Sequence, residues 1–273
     1  HRRSLKIIQM WHSIGTMKKF GYTALDTAEG TSTKIATAMR MHEQYSYVFA
    51  SSPAYQADLA KGFHCPEDIV RIYPLPRVDI LTDASYKQEM RKKLYQKYPI
   101  LKEKQVILYV PTFRKKETMM QTYVDKLCDA LYDDQILVVK RHPLSKLTIH
   151  NPHVLVDTSF TSFDMLFVAD AVISDYSCII YEAALLNIPL YFYNFDMQNY
   201  TGKRGLAIDY ENELPGIISK DPKVIIDSIE KEPYDMDELQ RFCKKYVVYD
   251  GNTSLHIADF ILNLMKEGND AHE

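Results

Sequence analysis

Asp170-Ala171-Val172-Ile173-Ser174-Asp175-Tyr176-Ser177-Cys178, followed by Ile179-Ile180-Tyr181-Glu182-Ala183-Ala184-Leu185-Leu186, decides the fold. A short apolar run without alternation reads as a strand buried on both faces. The polar residues after it form a tight turn. The Ala- and Leu-rich run that follows reads as a helix. In an open α/β sheet, ligands are taken at the carboxyl ends of parallel strands, where this turn lies. The free N–H groups and partial positive charge of the following helix suit an anion. Ser174, Ser177 and the Tyr176 hydroxyl add donors. Ser177 reads equally well as a plain N-cap. Glu182, about one and a half turns into the helix, either takes ribose hydroxyls or faces solvent.

Working outward, the same alternation runs along most of the chain. Lys6–Met10, Tyr47–Ala50, Val106–Val110, Ile136–Lys140, Ala171–Ser174 and Pro189–Tyr193 read as buried parallel strands. Thr31–Gln44, Ala84–Tyr98, Tyr123–Tyr132, Ser162–Val168 and Cys178–Leu186 read as helices. Another helix starts at Ser52-Pro53, with Ser as cap and Pro at the first position, and is expected to close at Gly62. Asp235–Lys266 reads as two further helices. The fold class is therefore α/β with doubly wound sheets. A boundary is expected near Pro99, where a charged helix ends and a fresh βαβ series begins. This predicts one domain over 1–98 and a nucleotide-binding domain over 99–273.

Other strand ends carry charge. Val139-Lys140-Arg141-His142-Pro143 places cations at the end of a strand, suited to a pyrophosphate or simply to solvent. Tyr109-Val110-Pro111-Thr112-Phe113-Arg114 ends a strand in a polar turn, and Arg114 is a candidate bidentate phosphate clamp or a surface arginine. Gln9–Lys19 sets His12 beside Trp11, the single Trp, with Gly15, Lys18 and Lys19 following. An imidazole there suits a general base near neutral pH. Tyr200-Thr201-Gly202-Lys203-Arg204-Gly205 reads as a loop in which Arg204 either closes over a donor or ties the loop down.

Composition sets limits. The 273 residues are 46% hydrophobic and 25% charged, which is ordinary for a folded chain. A net charge of −3 argues against nucleic acid as the main partner. Arg91-Lys92-Lys93 is a local basic cluster that reads as a solvated face. Cys65, Cys128, Cys178 and Cys243 are far apart and lack metal-ligand spacing, consistent with a reducing compartment. No apolar run approaches the roughly 20 residues of a membrane span, and no signal peptide is visible. A cytosolic protein, at most resting on a membrane surface, is expected. There is no GxxxxGK[ST] and no DxD-like pair at a strand end. No cofactor or metal is called for, and charge neutralisation falls to helix termini, Arg and His. The abrupt start at His1-Arg2-Arg3 suggests a fragment of a longer protein.

Together these segments resemble the CDP-glycerol glycerophosphotransferase family, the teichoic acid primases and polymerases of Gram-positive bacteria. The resemblance rests on Gln9–Lys19, Ser51–Tyr55, Pro76–Asp79, Tyr109–Arg114, His142-Pro143, Ser174–Cys178 and Tyr200–Asp209, in order over nearly the whole chain. Ser13 and Cys178 depart from the family's Gly and Ser, and His256 stands where Arg is frequent. The resemblance implies a GT-B architecture of two Rossmann-like domains, the first incomplete here. It implies transfer of an alditol phosphate from a CDP-alditol such as CDP-glycerol to a hydroxyl on a lipid-linked or polymeric acceptor, releasing CMP, at the inner face of the cell membrane. His12 would be the base, with Lys18 and Lys19 on the acceptor side. His142 and Arg114 would meet the pyrophosphate. Thr112, Lys140, Ser174, Asp175, Tyr176, Ser177, Cys178, Glu182 and Arg204 would complete the donor site. A GT-B glycosyltransferase using a nucleotide sugar, or an inactive nucleotide-binding fragment, shares these signals.

Overall fold

The computed structural model describes residues 5–270 except 113, 115–116, 142–144 and 146–147. The chain divides into two compact units. One holds the residues up to 82, residues 200–208 and those from 244 on; the other holds 83–199 and 209–243. The division falls at 82/83 rather than 98/99, so the helix Ala84–Lys97 belongs with the second unit. The last segment returns to the first unit, against the single boundary the sequence predicts.

In the first unit, β1 (Ile8–Met10), β2 (Tyr47–Ala50) and β3 (Val70–Ile72) form a parallel sheet in that order. Ser52 accepts the Ala54 N–H at 3.1 Å and Pro53 opens the next turn, as the sequence predicts. The helix Gln56–Phe63 ends differently: His64, at φ 52°, is the left-handed cap, not Gly62. Gly62 is there for packing, because a Cβ would collide with the Phe20 ring. The predicted helix Thr31–Gln44 is only Thr33–Ala38, and Arg40, His42 and Gln44 beyond it take positive φ. The helix Thr253–Asp270 is capped from far away in sequence. Asp79 accepts the Thr253 and Ser254 N–H groups at 3.0 and 2.8 Å.

The second unit is built on β4 (Gln105–Val110), β5 (Gln135–Val139), β6 (Val154–Val156), β7 (Ala171–Ser174), β8 (Leu190–Tyr193) and β9 (Ile218–Ser219). All are parallel, in the order β6-β5-β4-β7-β8-β9. Strand order therefore reverses between β4 and β7, the place where doubly wound sheets bind ligands. On one face Tyr109, Leu137, Ile173 and Tyr193 pack with Val124 and Leu127 of the helix Glu117–Asp129 and with Ile225 and Ile226 of the helix Pro222–Lys231. Four adjacent central strands are almost wholly buried, so they read in sequence as unbroken apolar runs.

Candidate functional site

The reversal point gathers five of the predicted residues: Thr112, Arg114, Ser174, Asp175 and Tyr176. Val110 and Ser174 are paired partners at the ends of β4 and β7. Past them, Asp175 turns back toward β4. Its Oδ1 accepts from the Thr112 N–H at 3.0 Å, the Thr112 hydroxyl at 2.7 Å and the Tyr176 N–H at 2.6 Å. Its Oδ2 accepts from Arg114 Nη2 at 2.9 Å. The remaining edge of the Arg114 fork meets Asp196, with Nε to Oδ2 at 2.7 Å and Nη2 to Oδ1 at 3.0 Å, and Nη1 donates to the Thr112 carbonyl at 2.6 Å. The Tyr176 hydroxyl donates to Asp196 at 3.3 Å, and the Tyr210 hydroxyl to the Asp175 carbonyl at 2.9 Å.

This arrangement changes the reading of Arg114. The side chain is buried and faces two carboxylates. Burial pulls its pKa down, but Asp175 and Asp196 overcome that and hold it above its ordinary value. One guanidinium against two carboxylates presents no net positive charge to an anion. Arg114 ties three turns together instead of clamping a phosphate. Asp175, Tyr176 and Thr112 point into the same network. Burial, with Asp196 and Asp175 close by, pushes the Tyr176 phenol well up, so it stays a neutral donor. Asp196 was not singled out in the sequence. The signal for it is a carboxylate just past the buried strand Leu190–Tyr193.

Other predicted donor residues separate from this cluster. Lys140 is buried, and Nζ donates to the Asp157 carboxylate at 2.7 Å and to the Asp157 and Phe160 carbonyls at 2.9 and 2.5 Å. All three ammonium protons are thereby engaged, so Lys140 braces the loop after β6 and has no N–H left over for a pyrophosphate. Burial alone would raise the Asp157 pKa, but Lys140, Tyr98 and the Phe160 and Ser159 N–H groups hold it at about 2. This pKa lies below an ordinary unfolded value of about 3.9. Its stabilisation is therefore present above pH ~4 and is lost as pH falls toward 2. After allowance for solvent screening it contributes about 1–2 kcal/mol. The melting temperature of the wild type is expected to fall over that window more steeply than that of Asp157→Asn, measured by thermal denaturation against pH.

Around the turn after β7, Ser177 and Cys178 are half-buried. The helix is Ile179–Leu185, and Ser177 Oγ accepts the Ile179 N–H at 3.5 Å, a long cap. Glu182 is buried, not solvent-facing. Ser174 Oγ and Asn194 Oδ1 are buried without a hydrogen-bond partner among the described residues, at or just past the ends of β7 and β8. Such groups normally cost about 1–3 kcal/mol, which makes them places for a polar ligand atom. His142 lies outside the described residues, as does the side chain of Arg204.

The first unit carries the other predicted residues. His12 follows β1 and is exposed, its ring against Trp11 at 4.1 Å. Arg77 Nη2 donates to the His12 carbonyl at 2.8 Å, and Ser13 Oγ to the Gly15 carbonyl at 2.8 Å, so the backbone from His12 to Gly15 is held at two points. Arg77, within the quoted Pro76–Asp79 segment, is a second residue whose part the sequence did not disclose. The predicted loop at Tyr200–Gly205 is mostly helix, Met197–Arg204, and its end docks in the first unit. Lys18 bridges Leu206, the Lys19 N–H donates to the Gly205 carbonyl at 3.3 Å, and Lys18 Nζ lies 5.2 Å from the Tyr200 ring centre. Gly205, at φ 80°, permits this close approach.

Comparison with known proteins fits this layout. The family described as CDP-Glycerol:Poly(glycerophosphate) glycerophosphotransferase matches residues 1–263. The chain is 31% identical to the teichoic acid ribitol-phosphate primase of Bacillus spizizenii, over 98% of this chain and 72% of that protein. It is also 31% identical to the teichoic acid glycerol-phosphate primase of Bacillus subtilis, over 97% of this chain and 70% of that protein. The wall teichoic acid polymerase TagF, in a variant form, superposes with a TM-score of 0.80 at 20% identity, covering all of this chain and 71% of TagF. The fold is thus α/β of the GT-B type seen in TagF. With the match running from the His12 loop past the β4/β7 reversal, the chain belongs to the CDP-glycerol:poly(glycerophosphate) glycerophosphotransferase family.

Proposed function

We propose that this chain transfers an alditol phosphate from a CDP-alditol to a hydroxyl acceptor in teichoic acid synthesis. The carrying observation is the family match across residues 1–263, which takes in both the His12 loop and the β4/β7 reversal. In the proposed step the acceptor hydroxyl gives its proton to the His12 imidazole. Its oxygen bonds to the phosphorus that bears the alditol, the phosphoanhydride bond breaks, and CMP leaves with the bridging oxygen. An exposed imidazole on a braced loop supports the role of base. On the donor side, Ser174 Oγ and Asn194 Oδ1, buried and without a partner among the described residues, support a polar ligand at the strand ends, with Ser177 and the Cys178 N–H following Ser174 in the same turn. The Arg114 network holds those turns in register. Lys18 and Lys19, held against Gly205-Leu206, are on the acceptor side in this reading.

Equal identity to a ribitol-phosphate and a glycerol-phosphate primase leaves the alditol to experiment. No helix among the described residues is long and apolar enough to cross a membrane. A lipid-linked acceptor, being held in the bilayer, would place the reaction at a membrane surface. The test is incubation with CDP-glycerol, CDP-ribitol and several nucleotide sugars, followed by mass spectrometry of the products. Release of CMP with a mass gain of one alditol phosphate is expected. Sugar transfer with no alditol phosphate product overturns the reading.

A further inference from the structure

The segment from 84 to 104 holds seven Lys and Arg against two Glu, in a chain whose net charge is −3. Its helix Ala84–Lys97 is polar nearly all round, and Leu94 is its one buried residue. Asp83 caps it through the Tyr86 N–H at 2.7 Å. Along it runs an open groove of about 760 Å³. Lys87, Arg91, Lys92 and Lys102 line it with Tyr95 and Gln88, and no carboxylate does. The neighbouring cations are occupied elsewhere: Lys93 pairs with Glu89 at 2.6 Å and Lys97 bonds Ser159. None of the four groove cations sits in an ion pair among the described residues.

Tyr95 concentrates this charge. Arg91 and Lys102 both stand over its ring, at 5.9 and 5.4 Å from the centre, and Arg91 Nη2 reaches its hydroxyl at 3.4 Å. Two like charges gathered on one ring repel each other, and an anion between them relieves that repulsion. Lys87 and Arg91 are one turn apart, about 6 Å along the axis, so one flexible anionic chain can meet several cations at once. The helix exposes no large aliphatic side chain to insert into lipid; Tyr86, 36% exposed, is its one large exposed hydrophobic residue. That favours a soluble polyanion over a membrane surface.

We infer that this groove holds the phosphodiester chain of a poly(alditol phosphate) acceptor, apart from the residues that bind the donor. The inference rests on the proposed transfer reaction and names the partner of that enzyme.

The test measures fluorescence anisotropy of a tagged poly(glycerol phosphate) of defined length with the whole protein. Arg91→Glu combined with Lys102→Glu is expected to weaken binding at least about tenfold and to flatten its salt dependence. Arg91→Lys should bind nearly as wild type, and the melting temperature should not move, since both side chains are exposed. Single-unit transfer to a short acceptor should be unchanged. Unaltered polymer binding in the double variant overturns the inference, as does absence of polymer binding by the wild type. Loss of binding to phosphatidylglycerol-containing vesicles with polymer binding intact also overturns it and assigns the groove to lipid. If polymer binding falls as expected while the wild type transfers nothing from any CDP-alditol, the groove stands and the transfer reading falls.

Discussion

Replacing His12 with alanine is expected to lower alditol-phosphate transfer by about 10²–10⁴-fold, the usual contribution of a general base, while CDP-alditol affinity stays near that of the wild type. The separation follows from how the loop is held. Arg77 grips the His12 carbonyl and Ser13 closes on Gly15, so the backbone does not depend on the imidazole. Ile14 and Met17 are buried and anchor the same segment. Removing the ring therefore subtracts chemistry and little structure. Turnover assayed beside calorimetric donor binding checks this. Retained turnover removes His12 as the base. A parallel loss of donor affinity would place the ring on the donor instead.

The second large effect is structural. Arg114→Ala leaves Asp175 and Asp196 buried and facing each other without their shared cation, and breaking such a pair costs about 3–5 kcal/mol. The melting temperature is expected to fall on the order of 10 °C. Arg114→Lys keeps the charge but cannot reproduce the fork that reaches both carboxylates, and it should fall between. An arginine that merely clamps a phosphate predicts the reverse: weaker donor binding with an unchanged melt. Thermal denaturation with donor calorimetry separates the two, and an unmoved melting temperature would return Arg114 to the phosphate.

How much the sequence discloses depends on what each residue's neighbours supply. The central strands of the second unit are legible because burial on both faces leaves only apolar residues, as in Val106–Leu108 and Ala171–Ile173. β3, β6 and β9 are not, because each is two or three residues long and partly exposed, with Arg71 inside β3. The helix Met197–Arg204 contains Thr201 and Gly202, poor helix formers. The strand ends that carry the candidate residues fall where the sequence puts them, but charge type does not reveal direction. Arg114 and Lys140 look like anion ligands until Asp196 and Asp157, 82 and 17 residues further on, are seen to meet them. A long-range carboxylate partner has no local signature. Gly62 illustrates the same limit: it resembles a helix stop, yet the Phe20 ring is the reason for it.

The division of the chain has a consequence for how it comes to be folded. The backbone passes between the two units four times, after residues 82, 199, 208 and 243. The segment up to 82 acquires the helix Thr253–Asp270 only after residues 83–243 have been made, because the Asp79 that caps this helix lies 174 residues before Thr253. Proteins of more than one domain usually complete the N-terminal one first during translation. Here residues 83–199 and 209–243 are made before the first unit's closing segment, and no single cleavage within these residues can release either unit whole.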